Sequence, residues 1–233
     1  MTVNSMGLRW RLRDWKHMLV RSIFSMMALA IAFTTLSVSG QNRSTAHSKF
    51  ASLTDPDKVF EIRHSKSLLV CSHRDGENPD VWSPDSCIAD IPVCDNSGHA
   101  GNVLACLAYP VDKFKGSELQ AAAFSVSRIE SLSADECVKK WARSDTANIH
   151  SEEIHGLKFQ VGHAVETGNS HAADESIYRV FHKGACYELD MTLAIAQDSA
   201  FAAEDVPRKL TAAERDQIRG VLMQALDGFR FLK

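Results

Sequence analysis

Apolar and polar residues alternate along two long stretches in the second half of the chain. In residues 156–166, every second position from Leu157 to Val165 is apolar except His163. Residues 185–196 alternate in the same way, after the dipeptide Lys183-Gly184, which is suited to a tight turn. A period of two is typical of strands with one buried face. We therefore predict a strand over 156–166 and a β-hairpin over 175–196.

The second limb of this hairpin sorts its side chains by face. Tyr187, Leu189, Met191, Leu193 and Ile195 share one face, and Cys186, Glu188, Asp190 and Thr192 share the other. Earlier segments also have strand character, at 59–63, 67–73, 102–110 and 119–129. The last of these is apolar on both faces, which indicates cover on both sides.

Two segments have the helical period instead. Ser133 and Glu136 form a capping box before a stripe of Cys137, Val138 and Trp141, which predicts a helix over 133–144. Thr211 and Glu214 form a second box and predict a helix over 211–228, with Gly228 as its C-terminal cap. Its apolar stripe consists of Ile218, Leu222, Ala225, Leu226 and Phe229.

The order of these elements predicts an α+β fold. A hairpin requires antiparallel pairing, so we expect a single antiparallel β-sheet flanked by helices, in an α/β/α sandwich. Helix 133–144 packs on this sheet. Helix 211–228 packs against it as well, and the opposite face is one possible position.

The first forty residues have the pattern of an export signal. A basic segment from Arg9 to Arg21 precedes an apolar run from Ile23 to Val38, and small residues follow. This predicts a Sec signal peptide over 1–40 with cleavage near Gly40. The alternative is an uncleaved anchor through residues 23–39, because the run approaches the roughly 20 residues that span a bilayer.

The remainder is predicted to be one domain behind a linker. Residues 41–58 are polar and lack periodicity, so we predict a flexible linker there. A single domain then occupies 59–233, and residues 74–102, rich in Gly, Pro, Asn, Asp and Ser, form a long cysteine-containing loop.

Charge limits the partners. The whole chain has a formal charge of −3, and without the five basic and one acidic side chains of residues 1–40 the remainder carries −7. Such a surface disfavours nucleic acid. A membrane is expected as a partner only if the leader stays uncleaved, which leaves an unknown protein or small-molecule ligand.

All six cysteines follow the leader, and an even number in an exported chain predicts disulfides. We expect Cys137–Cys186, which would join a helix to the sheet. For Cys71, Cys87, Cys94 and Cys106 three pairings are open, and we favour Cys87–Cys94 with Cys71–Cys106. The spacings suit neither a zinc site nor a C-x-x-C redox centre.

Candidate chemistry is sparse. One alternative makes Cys186 a reactive thiolate with His182 as base and Glu188 as orienting group. Arg179 with Glu188 or Asp190 is a candidate ligand-binding set, although a cross-strand ion pair is the simpler interpretation. The polar segment 150–155, "HSEEIH", is interpreted as a solvated connector. The sequence contains no G-x-S-x-G, P-loop or dinucleotide motif, so no catalytic residue, metal or cofactor is predicted.

The succession "LAYP", "FKGSELQAAAFSVSRI", "SADECVKKW", "GLKFQV", "HKGACYELDMTLAIA" and "LMQALDGFRFL" resembles the layout of Mog1/PsbP-like α/β/α domains and of small exported bacterial proteins. The resemblance covers residues 103–233 and implies binding or assembly without catalysis. We therefore expect an exported, non-catalytic binding domain. The alternative is an exported hydrolase or thiol enzyme whose site is assembled from scattered residues.

Overall fold

The structure is a computed structural model in which residues 48–71, 94, 101–141, 146–168 and 170–233 are described. All of them belong to one compact unit, Ala46–Lys233. The predicted leader and most of the predicted loop 74–102 lie outside the described residues, so both stay predictions. Within the described part of the chain, no helix is long and apolar enough to cross a membrane.

The described residues of this unit form ten strands and two α-helices. The strands are β1 Phe50–Thr54, β2 Phe60–Ser65, β3 Leu69–Cys71, β4 Asn102–Ala108, β5 Leu119–Ile129, β6 Ala147–Ile154, β7 Leu157–Thr167, β8 His171–His182, β9 Ala185–Ala196 and β10 Phe229–Phe231. The helices are α1 Ala134–Lys139 and α2 Ala212–Asp227. Short 3-10 turns cover Val111–Phe114 and Asp198–Ala200.

The strands form two sheets, so the prediction of a single sheet is wrong. The larger sheet has seven strands in the order β3-β4-β5-β9-β8-β7-β6, and every pairing in it is antiparallel. The smaller sheet has the order β1-β2-β10.

The predicted hairpin is formed by β8 and β9. Its turn residues Lys183 and Gly184 both have positive φ, which a two-residue hairpin turn requires if it is to match the twist of its strands.

Three strands are absent from the sequence prediction. Strand β1 falls within the predicted linker 41–58 and pairs with β2, and β10 follows α2 where the sequence suggested only the end of a helix. Strand β6 occupies most of "HSEEIH", which is therefore an edge strand and not a connector. Seven of its eight residues are exposed, so no buried face imposes an alternation that the sequence could display.

Both capping boxes are present, at Ser133 with Glu136 and at Thr211 with Glu214. Helix α1 is shorter than predicted, because its extended C-cap residue Lys140 ends it before Trp141. Gly228 is the C-cap of α2 with right-handed φ and ψ. A Cβ there would lie 1.9 Å from the Arg63 carbonyl oxygen, so this position needs glycine for close approach to β2 and not for a left-handed cap.

The two faces of the seven-stranded sheet differ in chemistry. One face packs on α2 and the smaller sheet, and its buried residues form the main apolar core, which includes Leu189, Phe124 and Leu222. The opposite face carries α1, bonded through Cys137 to Cys186. The helices thus lie on opposite sides of the sheet. The apolar set of β9 side chains faces the side of α2, and the set that includes Cys186 faces the side of α1.

Candidate functional site

Buried polar residues cluster on the α1 side of the sheet. Arg179 on β8 and Glu188 on β9 are direct cross-strand partners, and only 1% and 4% of their surfaces are exposed. The Glu188 Oε2 atom accepts from Arg179 Nε at 2.6 Å and lies 2.5 Å from its Nη2. This is the cross-strand ion pair that the sequence suggests.

Arg179 also holds the end of α1. Its Nη1 donates to the Lys140 carbonyl, and its guanidinium carbon lies 5.0 Å from the centre of the Trp141 ring. Gly162 on β7 leaves room for this arrangement, because a Cβ there would lie 2.9 Å from the Trp141 ring. With its donors directed to Glu188 and a backbone carbonyl, Arg179 has the contacts of a structural anchor.

His182 lies apart from this pair, at the end of β8. Its ring stacks on Phe231 with centroids 3.9 Å apart, which ties the hairpin to β10. Burial, and secondarily the charge of Lys183, hold the pKa of His182 below its ordinary value. Cys186, its proposed partner as a nucleophile, is fully buried and bonded to Cys137. The three candidates Arg179, His182 and Glu188 therefore do not converge on an accessible point.

The cysteines of the first half of the domain are paired differently from the favoured scheme. Cys94 is bonded to Cys106, which contradicts both Cys87–Cys94 and Cys71–Cys106. Cys71 is also disulfide-bonded, and its sulfur lies 3.6 Å from that of Cys94. Cys71 and Cys106 are cross-strand neighbours in β3 and β4, and the bond from Cys106 to Cys94 adds the third sulfur to the group.

These three sulfurs are the one group of three or more potential metal ligands that the described residues bring within 4.8 Å of one another. A metal requires the thiolate form. Because all three sulfurs are in disulfides, and the described part of the chain holds no free cysteine, they do not offer that form.

An accessible cleft lies on the other side of the sheet, between α2 and strands β7, β8 and β9. We call it the α2 cleft. Its volume is about 320 Å³, at the small end of the range for ligand pockets. Its lining consists of His163, Asp174, Ser176, Met191, Thr192, Leu193, Arg219, Leu222 and Met223.

Three polar side chains of the α2 cleft are joined through the carboxylate of Asp174. Asp174 Oδ1 lies 2.5 Å from His163 Nε2, and Asp174 Oδ2 accepts from Arg219 Nη2. All three side chains are between one third and just over one half exposed. Strands β7 and β8 and helix α2 each supply one of them, so the fold alone brings them together.

The apolar part of the α2 cleft comes from β9 and α2. Leu193 and Leu222 are buried, Met191 is half-buried and Met223 is 40% exposed. Met191 and Leu193 belong to the apolar set of β9, and Leu222 to the stripe of α2. The arrangement combines apolar surface with a few placed polar groups, as small-molecule sites do.

Sequence reasoning missed the α2 cleft, although one signal was present. His163 interrupts an apolar strand face at a position between Val161 and Val165, where a fifth apolar residue would complete the pattern. No comparable signal in the sequence indicates Asp174 or Arg219, because each is an ordinary polar residue of a strand or helix. Their convergence depends on the β7–β8 register and on where α2 crosses the sheet.

Comparisons with known proteins give only distant similarities. No family profile matches the chain, and no curated protein matches it. Among solved structures, a protein from Bacteroides thetaiotaomicron is 9% identical with a TM-score of 0.38, over 80% of this chain and 50% of that one. The chain thus spans half the length of that protein.

Two further structures align over most of their own length. The cyanobacterial PsbP protein of Synechocystis, CyanoP, is 9% identical with a TM-score of 0.38, over 83% of this chain and 99% of that one. LpqN of Mycobacterium tuberculosis, described as involved in cell envelope biogenesis, is 7% identical with a TM-score of 0.38, over 81% and 94%. The weak resemblance to PsbP-like structures is thus found in three dimensions as well. Similarity at this level does not extend to function.

Proposed function

We propose that the protein is an exported, non-catalytic binding domain whose ligand site is the α2 cleft. The observation that carries the proposal is the cleft itself, an open volume of about 320 Å³ with an apolar floor and three joined polar side chains, His163, Asp174 and Arg219. The disulfides Cys94–Cys106 and Cys137–Cys186 support the export part of the proposal. Such bonds persist in oxidising compartments.

A neutral apolar probe tests the site without presupposing the charge of its ligand. We expect N-phenyl-1-naphthylamine to bind the native protein saturably, with a rise in fluorescence at one site per chain. Met223→Trp places a large ring at the edge of the cleft, and because Met223 is 40% exposed the change need not disturb the core. We expect this variant to lose binding.

Val206→Trp is the matched control. Val206 is 38% exposed, is apolar and is not among the residues that form the cleft, so its substitution should leave binding unchanged. Equal binding by all three proteins would place the probe elsewhere and would contradict the proposal. Unsaturable binding to the native protein would do the same.

A hydrolase is the second candidate, because Ser176 lies in the same cleft. Ser176 is the cross-strand partner of His163, which itself contacts Asp174, so the three residue types of a serine triad share one surface. Among the described residues, however, the contact of His163 is with Asp174, and Ser176 makes no hydrogen bond to its ring. This favours binding over catalysis.

Hydrolysis of p-nitrophenyl butyrate separates these candidates. Under the binding proposal, any hydrolysis is slow and equal in the native protein and in Ser176→Ala. A large loss of rate in Ser176→Ala, with the folded state retained, would establish the hydrolase and overturn the non-catalytic proposal.

A further inference from the structure

The two charged side chains of the α2 cleft, Asp174 and Arg219, together have more unused hydrogen-bond donors than acceptors. Both oxygens of Asp174 are occupied, Oδ1 by His163 and Oδ2 by Arg219. Among the described residues no other carboxylate lines the cleft, so a cationic ligand would have to share Asp174 with both of these partners. An anion would not.

Arg219 has donors to spare. Its guanidinium group carries five N–H donors in a rigid fork, and the contact it makes with the described residues is the one from Nη2 to Asp174. Its side chain is 53% exposed at the mouth. Carboxylates match this fork, which binds them through two parallel hydrogen bonds.

The apolar lining of the cleft favours a ligand that has an apolar part attached to its anionic group. The buried Leu193 and Leu222 and the more exposed Met191 and Met223 make up this apolar lining. Methionine side chains are unbranched and adapt their shape to what they contact. Two of them around a volume of about 320 Å³ suit a flexible aliphatic chain better than a fixed ring system.

We infer that the α2 cleft binds an amphiphilic monoanion, an aliphatic carboxylate whose headgroup contacts Arg219 and whose chain lies on Leu193 and Leu222. This inference rests on the proposed function, since it names the class of ligand for the same cleft. The carboxylate binds alongside the Asp174–Arg219 contact and does not replace it.

Isothermal titration calorimetry of the native protein with butanoate, hexanoate and octanoate measures the contribution of the chain. We expect the dissociation constant to fall about fourfold for each methylene group that enters the cleft, which follows from the transfer of a methylene out of water. Octylammonium has as many carbon atoms as octanoate and the opposite charge, and we expect it to bind at least tenfold more weakly than octanoate.

Arg219→Gln removes the charge and the fork while keeping a polar side chain of similar length. We expect it to weaken octanoate binding about tenfold, the lower end of what a hydrogen bond to a charged group contributes. Arg230→Gln is the matched control, because Arg230 also forms an exposed ion pair, to Glu61 Oε2 at 2.8 Å, but belongs to the smaller sheet. Its affinity for octanoate should equal that of the native protein.

The outcomes distinguish this inference from the proposal beneath it. Tighter binding of octylammonium than octanoate, or equal octanoate affinity in Arg219→Gln and Arg230→Gln, would overturn the anionic class while N-phenyl-1-naphthylamine still identified the cleft as a site. Absence of chain-length dependence would overturn the aliphatic class in the same way. If the neutral probe also fails to bind in a manner sensitive to Met223→Trp, the proposed function itself is wrong.

Discussion

The bond between Cys137 and Cys186 gives the clearest test of what stabilises the domain. It closes a loop of 49 residues between α1 and β9, and both half-cystines are fully buried. Cross-linking a loop of this length lowers the entropy of the unfolded chain, which adds about 4 kcal/mol to the free energy of unfolding. The double substitution Cys137→Ala with Cys186→Ala should therefore lower the free energy of unfolding by roughly that amount, a large fraction of the ~5–15 kcal/mol of a typical domain.

The second described disulfide is an internal control. Cys94 and Cys106 are separated by only 12 residues, so the same chain-entropy relation gives about 3 kcal/mol for their bond. The double substitution to alanine removes the same atoms in both variants, so the difference between them isolates the length of the loop.

Urea unfolding followed by tryptophan fluorescence measures both losses, with the slope m compared between variants because it reports the surface exposed on unfolding. We expect the Cys137/Cys186 variant to be the less stable by about 1 kcal/mol. Equal losses, or a larger loss for the 12-residue loop, would refute the argument that loop closure sets the contribution of these bonds.

Three further changes have definite outcomes. Arg179→Met leaves the Glu188 carboxylate buried without its partner and should cost about 3 kcal/mol in urea unfolding; an unchanged midpoint would show that water reaches Glu188. Gly228→Ala pushes a methyl group against the Arg63 carbonyl and should cost at least ~1 kcal/mol in the same assay, and an equally stable variant would show that β2 can move aside. The pKa of His182 is lowered in the folded state, so the contribution of the neutral ring to stability is complete above the ordinary pKa of histidine and is lost as the pH falls through and below that value. His182→Phe should therefore flatten the loss of melting temperature between pH 7 and pH 5. An identical pH profile would assign the dependence to other groups.

The sequence predicted those parts of the fold in which a buried face repeats with a regular period. Strands β7 and β9 alternate over long stretches, β5 is a long apolar run, β8 leads into a tight hairpin turn, and both helices begin at capping boxes, so these elements could be derived from side-chain patterns. Strand β6 could not, since an edge strand with exposed residues on both faces has no buried period. The pairing of Cys94 with Cys106 also depends on tertiary structure, because cysteine spacing does not determine which strands become neighbours.

The candidate site was harder to predict than the fold. His163, Asp174 and Arg219 are far apart or unremarkable in sequence. The β7–β8 register brings His163 to the carboxylate of Asp174, and the course of α2 brings Arg219 to it. The residues that did look chemical from sequence, Arg179 and Glu188, form a buried pair that secures α1. The residue type of a polar side chain therefore does not show whether it binds a ligand or anchors the fold, because the two roles differ in how far the side chain is exposed to solvent.

The small sheet has a consequence for how quickly the chain reaches its native state. In it, Ile62 of β2 lies opposite Phe229 of β10, so two strands pair across most of the length of the domain. Pairings between residues so distant in sequence are slow to form, because the ordering of the intervening chain precedes the contact that rewards it. We therefore expect refolding to have a late phase in which the smaller sheet closes over α2, after hairpins such as β8–β9 have formed, and the intermediate to expose the apolar residues that β10 covers.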